Sequence, residues 1–85
     1  MISDLDKLFS DAFERANNTT KKFATDVQLR LYAYYKQATK GDNFSYNNED
    51  NLKNAFKFNA WIQLKGMDEN EAKENYIKLV NSILK

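Results

Sequence analysis

Apolar residues recur along this 85-residue chain at intervals of three and four, the period of a helix packed on one side. Leu5, Leu8, Phe9, Ala12, Phe13 and Ala16 form one stripe, on a helix predicted to begin after Ser3 with Asp4 and Asp6 at its positive end. The polar run "NNTTKK" ends it. A second helix is predicted from Thr25, where "TDVQ" has capping-box spacing, to about Lys40. A third covers roughly Asp50 to Lys65, and a fourth is capped by Asp68 and runs to the C-terminus on Ala72, Tyr76, Val80 and Ile83. No segment alternates with a period of two. Proline is absent, and the two glycines, Gly41 and Gly66, each follow a helical run where a positive φ would cap it. The pattern reads as all-α, a single domain over residues 1–85 with no internal repeat.

The polar stretch "GDNFSYNNE" between the second and third helices carries Phe44 and Tyr46 and is long for so small a domain. Nine extended residues reach roughly 30 Å, more than the about 22 Å of a 15-residue helix. The connection can therefore return along the second helix and leave the third parallel to it.

On a helical wheel the second helix has more than one docking stripe. Val27, Leu31, Tyr34 and Ala38 form the core face. Leu29, Tyr32, Tyr35 and Lys36 occupy a neighbouring sector, and Arg30, Ala33 and Gln37 are assigned to solvent. The mixed sector fits tyrosines at the edge of the core, with buried rings and wet hydroxyls. The third helix adds a reason to look further, because Lys53, Lys57 and Trp61 share one line at i, i+4 and i+8. Tyr76 on the fourth helix offers another ring. Aromatic faces stack on nucleobases, lysines bind phosphate as point charges, and an apolar groove beside them takes an alkyl chain.

Composition narrows the chemistry. There is no Cys and no His, so disulfides, thiol nucleophiles and the commonest general base and metal ligand are all missing. A formal net charge of +1 argues against binding nucleic acid, yet residues 21–66 hold eight Lys/Arg against four Asp/Glu. The positive charge is local, as an anion site in mid-chain requires. No apolar run is long enough to span a membrane. These features favour a cytoplasmic binder over an enzyme, with no cofactor and no stable membrane insertion. A small helical protein-interaction module is the rival reading, since aromatic residues also serve as interface hot spots.

Two runs sharpen the choice. "YAYYKQATKGD" followed by "AFKFNAWIQLKGMDENEAKENYIKLV" resembles the acyl-CoA-binding protein family. That family has Tyr-x-x-Tyr-Lys-Gln-Ala-Thr-x-Gly-Asp, then Lys-aromatic-x-Ala-Trp, Leu-Lys-Gly and a later Tyr-Ile. The resemblance implies a four-helix, up-down-down-up bundle with a long loop between helices 2 and 3. It implies a monomeric carrier of medium- to long-chain acyl-CoA esters that does no chemistry on them. Carried over by position, Tyr32, Tyr35 and Lys36 contact adenosine and phosphate, Lys57 and Lys53 the phosphates, Tyr76 closes the site, and Leu29 lines the acyl groove. The chain departs from the family at three places. Its loop reads "SYNNED" where the family often has Arg-Pro-Gly, Asn17 stands at a basic position, and Phe13 replaces a small residue. Phe13 is expected to narrow the groove and alter chain-length preference.

Overall fold

The computed structural model describes residues 3–44 and 52–84, the side chains of 52–54 excepted. Four helices follow in order: α1 (Asp4–Asn18), α2 (Thr25–Lys40), α3 (Leu52–Ile62) and α4 (Glu69–Ile83). Asp50, the expected start of the third helix, and Tyr46 lie outside the described residues. The C-terminal limit of α3 is three residues earlier than expected, because residues 63–66 wind into tighter turns. There Leu64 N donates to Trp61 O and Lys65 N to Ile62 O, both at 2.9 Å.

The caps explain most of the boundaries. Ser3 Oγ accepts from Asp6 N at 3.1 Å, and Asp68 accepts from Asn70 N at 3.0 Å. Gly41 and Gly66 adopt φ of 59° and 89°, values that L side chains rarely tolerate. The second helix corrects the expected capping box. Its N-cap is Ala24, which has no cap side chain, and Thr25 is already helical. Gln28 instead reaches back beyond the cap and donates to Phe23 O at 2.8 Å.

Contacts along each helix pair give the directions. α1 and α4 run parallel: Asp6 pairs with Lys73, Phe9 meets Tyr76, and Arg15 donates to Asn81. α2 runs against α4, with Gln37 at Met67 and Tyr35 near Tyr76. α2 and α3 run parallel, since Lys57 lies at Tyr32 and Trp61 at Gln37. This is the up-down-down-up order. It requires the connection between α2 and α3 to return the chain to the start of α3.

The core has two parts. Ala12, Leu31, Tyr76 and Val80 are buried where α1, α2 and α4 meet, with Phe9, Val27, Tyr34 and Ile83 packed around them. The stripe of α1 is incomplete, for Leu8 is 54% exposed. On the other side of α2, Ala33 and Gln37 are buried together with Trp61 of α3. The sequence assignment of Ala33 and Gln37 to solvent is therefore wrong. α2 is the central helix, with a second partner covering the flank that a single-stripe wheel leaves to water.

Gln37 is fully buried and every polar atom of its amide is used. Its Nε2 donates to Asp42 Oδ1 at 2.9 Å and Met67 O at 2.8 Å, while Oε1 accepts from Trp61 Nε1 at 3.2 Å. Trp61 Nε1 also donates to Gly41 O at 3.1 Å, and Asp42 accepts from Gly66 N at 3.0 Å. One amide thus joins the end of α2, the end of α3 and the linker to α4.

Gln37→Leu keeps the volume but leaves Met67 O without its donor and removes one of the two acceptors of Trp61. It is expected to cost about 2–3 kcal/mol, read from urea unfolding; an unchanged midpoint would dismiss the network. Asp42 provides a pH test of the same network. The Gln37 amide and then the Gly66 N–H hold its carboxyl below the ordinary 3.8. As pH falls, the unfolded chain takes up that proton first. The contribution is full above pH 3.8 and disappears as pH drops through the lower folded value. The acid limb of a stability–pH curve should be shallower in Asp42→Asn than in the unmodified protein.

Candidate functional site

A groove of about 300 Å³ opens between α1, α2 and α3, lined by Phe13, Asn17, Tyr32, Tyr35, Lys57 and Tyr76 among others. Parallel packing of α2 on α3 creates its charged side. Lys57 Nζ lies 5.3 Å from the centroid of the Tyr32 ring, and Lys36 Nζ lies 5.6 Å from the same centroid. Lys36 is also 5.6 Å from the Trp61 ring. These are cation–π distances. Among the described residues no carboxylate comes within 4.0 Å of either ammonium group. Two cations share one phenol, an arrangement suited to an anion.

The opposite wall is aromatic. Phe13 stacks on Tyr35 with centroids 4.8 Å apart and planes 23° apart. Phe9 lies behind, 6.0 Å from Tyr35, and meets Tyr76 edge-on at 5.1 Å. Tyr76 is only 3% exposed, so it is a core residue whose edge reaches the groove. Burial, and then the neighbouring Tyr35, push its phenol up to about 12. Burial raises Tyr32 as well.

The predicted residues are not all together. Phe13, Tyr32, Tyr35, Lys57 and Tyr76 line the groove, with Lys36 at its Tyr32 wall. Leu29 does not. It lines a separate groove of about 480 Å³ on the other flank of the α2–α3 seam, with Ala33, Phe56, Ala60 and Leu64. Phe13, on α1, and Leu29, on the α3 side of α2, are thus kept apart by α2 itself. The Lys53 side chain lies outside the described residues. Trp61 is 2% exposed and has its N–H bonded, so it is a core anchor and no stacking platform. Phe56, 52% exposed beside Leu29, was not singled out in the sequence. Its signal was a large apolar residue directly before Lys57.

No helix among the described residues is long and apolar enough to cross a membrane. No three His, Cys, Asp or Glu side chains among them converge as a metal site.

Residues 6–80 match the family described as acyl-CoA-binding protein. Over 79 residues the chain is 39% identical to the acyl-CoA-binding protein of Saccharomyces cerevisiae, spanning 92% of this chain and 91% of that one. The chain belongs to the acyl-CoA-binding protein family. A second acyl-CoA-binding protein, from Dictyostelium discoideum, is 37% identical over 76 residues, spanning 88% and 90% of the two chains. The crystal structure of Oryza sativa acyl-CoA-binding protein 2 has the same fold. It matches with a TM-score of 0.83 at 32% identity, covering 94% of this chain and 90% of that one. The unit also occurs inside a longer protein, human enoyl-CoA delta isomerase 2, at 38% identity over 76 residues and 19% of that protein's length. The acyl-CoA-binding protein family is one of binders, and the groove's lysines and half-buried rings accord with that.

The buried phenols offer a direct check of the site. Alkaline titration of phenolate absorbance should show Tyr32 and Tyr76 ionising above the ordinary value of 10.0, Tyr76 last, near 12. The folded phenol of Tyr76 is the weaker acid, so its stabilisation is complete below pH 10.0 and fades as pH rises through about 12. Tyr76→Phe should remove the last step. A Tyr76 that titrates near 10.0 would place its ring at the surface.

Proposed function

We propose that this protein binds medium- to long-chain fatty acyl-CoA esters and carries them, as a cytoplasmic monomer, without altering them chemically. One observation carries the reading: Lys36 and Lys57, both without a carboxylate partner among the described residues, share the Tyr32 ring at a seam that has an apolar groove on its far flank. The ammonium groups suit the CoA phosphates, which need charge without bidentate geometry. Tyr32 offers its ring to adenosine, and Tyr35, stacked on Phe13, borders the same groove. Gln28 and Leu29 are neighbours on α2 and line one groove each. A ligand bent across that edge puts its head among the tyrosines and its chain against Leu29, Ala33 and Phe56. An acyl chain gains up to about 0.8 kcal/mol per methylene buried, before ordering costs. A purely protein-interaction module would have no need of two lysines gathered beside a concave aromatic wall.

Calorimetric titration tests this. Affinity should climb with acyl length and level off once the apolar groove is full. Lys57→Ala should weaken binding about tenfold, the order of one charge-assisted contact, and Lys57→Glu more. Rising salt should weaken the unmodified protein by screening. Free CoA and free fatty acid should each bind poorly. A fatty acid bound as tightly as its CoA ester would reduce the site to a generic lipid groove.

A further inference from the structure

We infer that Lys21 is a positioning residue for ligand binding: it ties the α1–α2 connection to the end of α4 and so sets Phe23, which lines the groove between α1, α2 and α3. This rests on acyl-CoA binding as proposed above and adds a residue that stands outside the groove. The end of α4 supplies the first observation. A helix leaves its last carbonyls without intrahelical donors and gathers negative charge there. α4 has no basic residue in its own last turn. The cation comes from another segment instead, for Lys21 Nζ donates to the carbonyl of Ile83, the last residue of α4. Sixty-two positions of sequence separate the two.

The connection that carries Lys21 runs through residues 19–24 without helix, with ψ of 147° at Thr19 and 153° at Ala24. Lys21 N donates to Thr19 Oγ1 at 3.1 Å, a local turn. Beyond it, Gln28 Nε2 donates to the carbonyl of Phe23 at 2.8 Å. Phe23 thus stands between two fastenings, one to α4 and one to α2. Its ring is half-buried against the cluster of Ala12, Leu31, Tyr76 and Val80. The same ring lines the groove where the chain crosses from α1 to α2, with Asn17 and Gln28. A ring carried on a short non-helical segment is only as fixed as that segment. Without the bond to Ile83, residues 19–22 regain backbone freedom, and the cost of ordering them falls on ligand binding.

The experiment titrates a long-chain acyl-CoA into the unmodified protein, Lys21→Met, Lys21→Arg, Phe23→Ala and the double variant of Lys21→Met with Phe23→Ala. Thermal melts of each set a temperature at which all are folded, and Phe23→Leu replaces Phe23→Ala if the latter does not fold. Lys21→Met keeps the apolar stem and loses the ammonium. It should weaken binding about 2- to 5-fold, bounded by the strength of one cation at a helix end. Lys21→Arg, which keeps the cation, should bind as the unmodified protein does. Because Lys21 acts through Phe23, the double variant should bind no more weakly than Phe23→Ala alone. The fall of affinity with salt should keep its slope in Lys21→Met, whereas Lys57→Ala should flatten it. A lowered melting temperature with unchanged affinity would leave Lys21 a helix cap only and overturn the inference. Additive losses in the double variant, or a flatter salt dependence in Lys21→Met, would also overturn it and make Lys21 a direct contact of the ligand. Failure of the unmodified protein to bind acyl-CoA would overturn the binding function itself, and this role with it.

Discussion

The side chain of Gln37 is the constraint on which the site depends. A primary amide buried with no access to water is tolerable only if its donors and acceptor find partners. Here the partners come from Asp42, Met67 and Trp61, which belong to separate segments of the chain. The amide therefore fixes the position and register of Trp61 against α2. Lys57 is one helical turn before Trp61, so the same register places its ammonium at the Tyr32 ring. A different register would leave Lys57 over a different residue of α2 and separate it from Lys36.

That register matters because α3 has few other supports. Among the described residues its backbone packs against α2 and against no other helix. The Gln37 network holds its C-terminal end, and Phe44 and Phe58 enclose the indole from two sides. Beside that end the seam is bordered by grooves on both flanks of α2, one at Lys57 and one running from Phe56 to Leu64. A bundle with four mutually packed helices would fill that space with side chains. Leaving α3 on one partner sacrifices burial but provides concave surface, and anchoring its C-terminal end with a hydrogen-bonded tryptophan keeps the surface in place.

The helix count, the caps at Ser3 and Asp68, the two glycine ends and the α4 core face were legible because each depends on local chemistry and helical period. The parallel α2–α3 pair was permitted by loop length and became definite only when Lys57 and Trp61 were placed against Tyr32 and Gln37. What the wheel missed was the number of partners. It assigned Ala33 and Gln37 to water since neither is strongly apolar, whereas a small residue and a bonded amide are what allow Trp61 to approach. The helix starts at Thr25 as expected, but Thr25 is its first helical residue and not its cap; Ala24 holds the cap position without a side-chain bond, and Gln28 secures the entry. Phe13 and Leu29 were expected in one groove because the helical phase of α1 carries no information about which flank of α2 it covers.

The same placement explains why tyrosines serve where aliphatic residues would be the default for a core. Tyr35 and Tyr76 belong to two environments at once, packed against Phe9 on one side and bordering the groove on the other. Leucine would satisfy only the first. Phenols pack their rings into the core and still present a polar edge. Burial, and then the neighbouring Tyr35, raise the Tyr76 phenol to about 12. A neutral phenol does not repel an anionic ligand, so the aromatic wall can lie beside the lysines without cancelling their charge. Cations supply attraction, and uncharged rings supply shape.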